Sequence, residues 1–153
     1  MFGVDLIEKT SRGLEVWMPN NNFLNGVQNG LTIWHDEQSI PGQDLRTVVL
    51  ALFNGSIVYE GGESATYAGV EVIDISDSNE PFSGNMTVLL KDGSVSNQTF
   101  EGIAKSKPAP NRVSGEGTWK MVNGTGKFAG LTGGGPFSWA IDGDKYHAEF
   151  SGR

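Results

Sequence analysis

Apolar and polar positions along the chain follow a period of two far more often than one of 3.6. Short runs of Val, Ile, Thr, Phe, Tyr and Trp recur between turn signals, and no long window keeps an i, i+3, i+4 apolar spacing free of Gly, Pro or β-branched crowding. The pattern predicts an all-β chain. Leu14–Met18 and Leu31–Trp34 read as two short strands, separated by Asn20-Asn21-Asn22 and the turn pairs Asn25-Gly26 and Asn29-Gly30. Residues 1–40 are the least regular part. Thr47–Phe53 is a continuous apolar run, Asn54-Gly55 reads as a hairpin turn, and Ser56–Glu60 as its return strand. Gly61-Gly62 turns the chain again into Ser64–Ile75, a long strand with Gly69 inside it. Phe82–Lys91 alternates apolar and polar positions up to the turn Asp92-Gly93, and Ser94–Ala104 returns. Lys105–Asn111 holds two prolines and is expected as an exposed linker at one end of the fold. Val113–Val122, Gly135–Ile141 and Tyr146–Ser151 complete the chain, the last two joined by Asp142-Gly143-Asp144.

Eight or nine strands with no helical partner must cover themselves by closing or folding over. Gly69, Gly84, Gly102, Gly115 and Gly117 lie inside strands, where glycine weakens pairing but permits the sharp coiling that closure needs. The expected architecture is one domain over residues 1–153, an antiparallel and roughly eight-stranded closed barrel, with a two-sheet sandwich as the alternative.

Alternation assigns the faces. Ser114, Glu116, Thr118 and Lys120 share one side of their strand; Val113, Gly115, Gly117, Trp119 and Met121 share the other, which should point inward. Trp119 is therefore expected against the two glycines. Phe137, Trp139 and Ile141 form a matching face, as do Tyr146, Ala148 and Phe150. Barrels of this size are either packed solid or hold one small ligand. The candidate ligand-lining residues are Trp119, Trp139, Phe137, Phe100, Met86 and Tyr146, and ordinary core packing is the competing role for each.

Composition removes several chemistries. With no Cys among 153 residues, disulfides, thiolate zinc sites, iron–sulfur clusters and Cys nucleophiles are excluded. A net charge of −7 without a basic stripe disfavours nucleic acid and anionic membranes. Two His, at 35 and 147, are too few for a metal site. Alternation turns His147 outward, and His35 falls in a polar stretch that reads as a solvated loop. No Gly-x-Ser-x-Gly nucleophile turn and no Walker A spacing occur. No cofactor is expected. Early acids and the lack of a long apolar run at the N-terminus argue against a secretory signal or a membrane span, so the cytoplasm is the expected location. The sequons at Asn54, Asn85, Asn97 and Asn123 read as turn and strand chemistry.

Two carboxylates interrupt strand runs, Glu71 between Val70 and Val72 and Glu101 between Phe100 and Gly102. Each alternates with apolar neighbours and so most simply faces water. Were either to point inward, desolvation would raise its pKa into the range useful to a general acid or base. Tyr67 shares the parity of Glu71. These three residues are the catalytic candidates.

The segment from Gly115 to Gly133, GEGTWKMVNGTGKFAGLTG, resembles the allene oxide cyclase-like barrel superfamily, in which a strand runs into a Gly-x-Gly-x-Phe-x-Gly turn. The preceding hairpin, with Phe82–Leu90, Asp92-Gly93 and Gly102, is in the corresponding order, and the resemblance covers about residues 45–141. It implies a closed barrel in which Gly124 and Gly126 take the turn and Phe128 plugs one end. It also implies a cofactor-independent isomerase or cyclase that holds a hydrophobic or aromatic small molecule while it closes or couples, and a homo-oligomer, dimeric or trimeric. The pocket Cys of the plant enzymes has no counterpart here, and no catalytic residue carries over. A lipocalin-like, non-catalytic binder of a hydrophobic molecule is the alternative.

Overall fold

The computed structural model describes residues 23–43, 46–76, 80–106 and 112–153. Eight strands follow one another around a closed antiparallel barrel: β1 (Gly26–Ser39), β2 (Thr47–Tyr59), β3 (Ser64–Ile75), β4 (Glu80–Leu90), β5 (Val95–Ser106), β6 (Arg112–Gly124), β7 (Gly134–Asp142) and β8 (Lys145–Phe150). β8 returns to β1 in a ladder from Gly26↔Phe150 to Leu31↔Lys145. Closure leaves no sheet edge open. The Leu14–Met18 strand and most of the Lys105–Asn111 linker lie outside the described residues, whereas Leu31–Trp34 belongs to the much longer β1. No helix among the described residues is long and apolar enough to cross a membrane.

The turn signals divide by backbone conformation. Gly62, Gly93 and Gly143 have φ of 96°, 92° and 66°, the left-handed values that tight hairpins require, and each sits where a turn is expected. Asn54-Gly55 does not turn. β2 runs straight through it, because Phe53, Gly55, Ile57 and Tyr59 continue one inward face across the pair. Gly55 lacks the positive φ of a hairpin turn, and a Cβ there would strike the Asn29 carbonyl on β1. The glycine permits close strand approach at a strongly coiled point of the wall. Asn25-Gly26 and Asn29-Gly30 likewise fall at the start of β1 and within it.

Two apolar clusters fill the interior. At one end Phe23 caps the barrel, edge-on to Tyr59 at 5.1 Å and 4.7 Å from Phe128, over Ile57, Val88, Leu90 and Met121. Phe128 ends a 3-10 turn at Gly126–Phe128, where Gly126 has φ 58° and the Ser94 hydroxyl accepts a hydrogen bond from the Lys127 N–H at 2.9 Å. The second cluster, nearer the other end, holds Ile73, Phe82, Ala104, Trp139 and Ala148. The glycine beneath a tryptophan is paired differently from expectation. A Cβ on Gly115 would lie 2.7 Å from the Trp139 indole, whereas Trp119 rests by Gly152 and donates its Nε1–H to the Ser151 carbonyl at 2.8 Å. Gly117 instead brings its strand against the Glu101 carbonyl and the Gly102 backbone of β5.

Candidate active site at the barrel mouth

β3 sets the site. Ala65, Tyr67, Gly69, Glu71 and Ile73 share its inward face, so the alternation established by the alanine and the tyrosine carries a carboxylate into the barrel. Val70 and Val72, which flank Glu71, are turned out and are 36% and 39% exposed, while Glu71 is 5% exposed. The expectation that Glu71 faces water is therefore overturned. Ring packing and the register with β2 and β4 (Ala51↔Glu71↔Gly84) decide the parity, against the apolar character of its immediate neighbours. A strand that buries an acid and exposes two valines breaks the local rule, as working sites often do.

Glu71 stands at the base of an opening of about 420 Å³, a volume suited to a small molecule. Its apolar walls are Val49, Ala51, Ile73, Ile75, Val113 and Ile141, and its polar groups are Thr32, His35, Glu37, Glu80 and Asp144. No hydrogen-bond or ion-pair partner meets the Glu71 carboxylate among the described residues. Desolvation alone raises its pKa, to about 7. Tyr146 lies close enough to feel the charge of Glu71, and Tyr67 is in turn close to Tyr146. Burial pushes both phenols well above their ordinary range, and the charge of Glu71 and the neighbouring Tyr67 raise Tyr146 further.

His35 and Glu37 reach the mouth through a β-bulge. The β1–β2 register shifts between Thr32 and Trp34, so Ile33 is extruded and the parity of β1 switches. Thr32, His35 and Glu37 then share the interior side, while Ile33 and Trp34 are exposed. The stretch expected as a solvated loop is thus strand. His147 is exposed on the outer face, where it meets Asn29 and Glu149.

The remaining candidates separate. Glu101 is on the outer wall of β5, exposed to water and remote in orientation from the mouth. Tyr67 is buried, its hydroxyl without a partner among the described residues. Met86, Phe100, Trp119, Phe137 and Tyr146 do converge, together with Gln28 and Gln98, but the space they leave is about 30 Å³, room for a water molecule or two. Trp139 does not line that space. It stacks on Tyr146 at 6.1 Å and packs edge-on to Phe82 at 5.3 Å. The aromatic interior is packed core, and the usable volume lies above it. No group of three or more His, Asp or Glu suited to a metal ion occurs among the described residues.

No protein-family model matches the chain, and no curated protein is significantly similar to it. The site geometry therefore carries the functional reading.

Proposed function

We propose that the protein is a cofactor-independent isomerase or cyclase acting on a small, largely apolar molecule held at the barrel mouth, with Glu71 as the group that takes and returns a proton. The observation that carries this reading is the burial of Glu71, without a partner among the described residues, at the base of a 420 Å³ opening. A carboxyl group with a pKa of about 7 is present in both protonation states near neutrality, which suits a residue that must act first as base and then as acid. The apolar walls keep that proton transfer out of bulk water and hold the substrate in one pose, and positioning of this kind lowers the barrier of a unimolecular rearrangement. The closed barrel is the architecture that the superfamily resemblance implies. Since one fold hosts many functions, the weight rests on Glu71. A lipocalin-like carrier would hold its cargo deep inside, and the 30 Å³ left there speaks against that alternative.

The test is proton transfer itself. In D₂O, NMR should show deuterium uptake or rearrangement in some members of a panel of apolar cyclic ketones. The rate should rise with pH through about 7 and disappear in Glu71→Gln. Binding without exchange or rearrangement across the panel would make the protein a carrier.

A further inference from the structure

We infer that the mouth selects a ligand in which an apolar body carries a protonated amine, an inference that rests on the mouth being the working site. Glu71 is 95% buried, since only 5% of it is exposed, and its carboxylate is aimed into the opening with no partner among the described residues. A buried acid without a protein partner leaves its hydrogen-bonding capacity open to whatever occupies the space in front of it. Glu37 and Asp144 stand around the same opening, and among the described residues neither Lys nor Arg lines it.

The basic side chains described at this end of the barrel are engaged or turned away. Arg46 donates from Nε and Nη2 to the Asp74 carboxylate at 3.0 and 2.8 Å, and from Nη1 to Gln43 at 2.9 Å. Lys105 and Lys145 are exposed at outward positions, next to the inward Ala104 and Tyr146. The charged groups described in the mouth are accordingly acidic and set among apolar walls. A small metal ion is poorly served, because the acids do not gather into a metal-binding group. An organic ammonium suits the arrangement: its cage or ring fills the apolar part, and its N–H donors reach carboxylates set at different heights.

Three probes with one rigid cage test this: adamantane ammonium, adamantanol and adamantane carboxylate, titrated near neutral pH by calorimetry and NMR. The ammonium should bind about tenfold or more tightly than the alcohol, the equivalent of one charge-assisted contact, and the carboxylate should bind least. The preference should shrink with salt and in Glu37→Gln/Asp144→Asn, whose exposed positions leave folding intact, and Glu71→Gln should reduce it independently. If alcohol and ammonium bind alike, selection of a cation is wrong while the mouth remains the working site. If none of the three binds, both fall. A retained ammonium preference without any proton exchange would remove the enzyme reading alone.

Discussion

The Tyr67 hydroxyl occupies the space in which a side chain at Gly30 would begin: a Cβ on that glycine would stand 2.5 Å from the Tyr67 Oη. The two residues are on β3 and β1, with Gly55 of β2 between them in register (Gly30↔Gly55↔Tyr67). Two consecutive positions across the sheet therefore lack side chains, and the phenol ring lies over them. Gly30→Ala should lower the unfolding free energy by roughly 1–3 kcal/mol, the usual cost of overpacking. Tyr67→Phe in the same background should restore only part of the loss, because the new methyl also meets the Asn54 carbonyl, which is backbone and cannot swing away. Urea midpoints of the two single variants and the double variant check the cycle.

Tyr67→Phe alone should have the opposite sign. The Tyr67 and Tyr59 hydroxyls are buried and meet no hydrogen-bond partner among the described residues. Each has left water without recompense, so its removal should be neutral or stabilising by about 1 kcal/mol. Tyr59→Phe should behave alike. A clear loss of stability in either variant would mean that the hydroxyl has a partner, such as a buried water.

The sequence made the wall legible and left the mouth obscure, for physical reasons that particular residues show. Alternation in Phe82–Leu90 and Val113–Met121 gives the inward faces of β4 and β6 because one side of each strand is consistently apolar. Asp92-Gly93 and Asp142-Gly143 mark turns because each combines a strand break with the need for positive φ. Asn54-Gly55 is as strong a turn pair by residue type and has none of that need. The place of His35 and Glu37 at the mouth is hidden because a single extruded residue, Ile33, reverses the parity of β1, and a bulge has no side-chain signature of its own. Glu71 could have been placed by giving Ala65, Tyr67 and Ile73 priority over Val70 and Val72. That choice depends on which neighbouring strands supply the covering side chains, and the pairing lies beyond the strand itself.

Trp119 should prove structural. It is 6% exposed, packs edge-on to Phe150 at 5.6 Å and holds the C-terminal Ser151 carbonyl through its indole N–H. Trp119→Ala should cost ~3–5 kcal/mol, typical of a buried aromatic truncated to a methyl. Because Trp119 borders the 30 Å³ core space and not the mouth, the folded fraction should bind the cage probes with unchanged affinity. Weakened binding with a native far-ultraviolet spectrum and midpoint would place the ligand in the core.

Glu71 should make the protein less stable as the solution becomes less acidic across a defined window. Its pKa in the folded protein is about 7, raised by desolvation from an ordinary value of 4.5. Below about 4.5 the group is protonated in both folded and unfolded chains and contributes nothing to pH dependence. Between 4.5 and 7 the unfolded chain has released the proton and the folded chain retains it, so the folded state binds more protons and stability falls as pH rises. Above 7 both forms are ionised, and a constant cost remains, on the order of 3 kcal/mol for a shift of this size. Glu71→Gln removes the titration. The variant should match the parent near pH 4 and exceed it by up to roughly that amount near pH 8, the gap opening between the two pKa values. Denaturant unfolding of both proteins at several pH values measures the gap directly. A parent and variant that stay parallel from pH 4 to pH 8 would show that the carboxylate is solvated as in water, and the burial that gives Glu71 its proposed role would be lost with it.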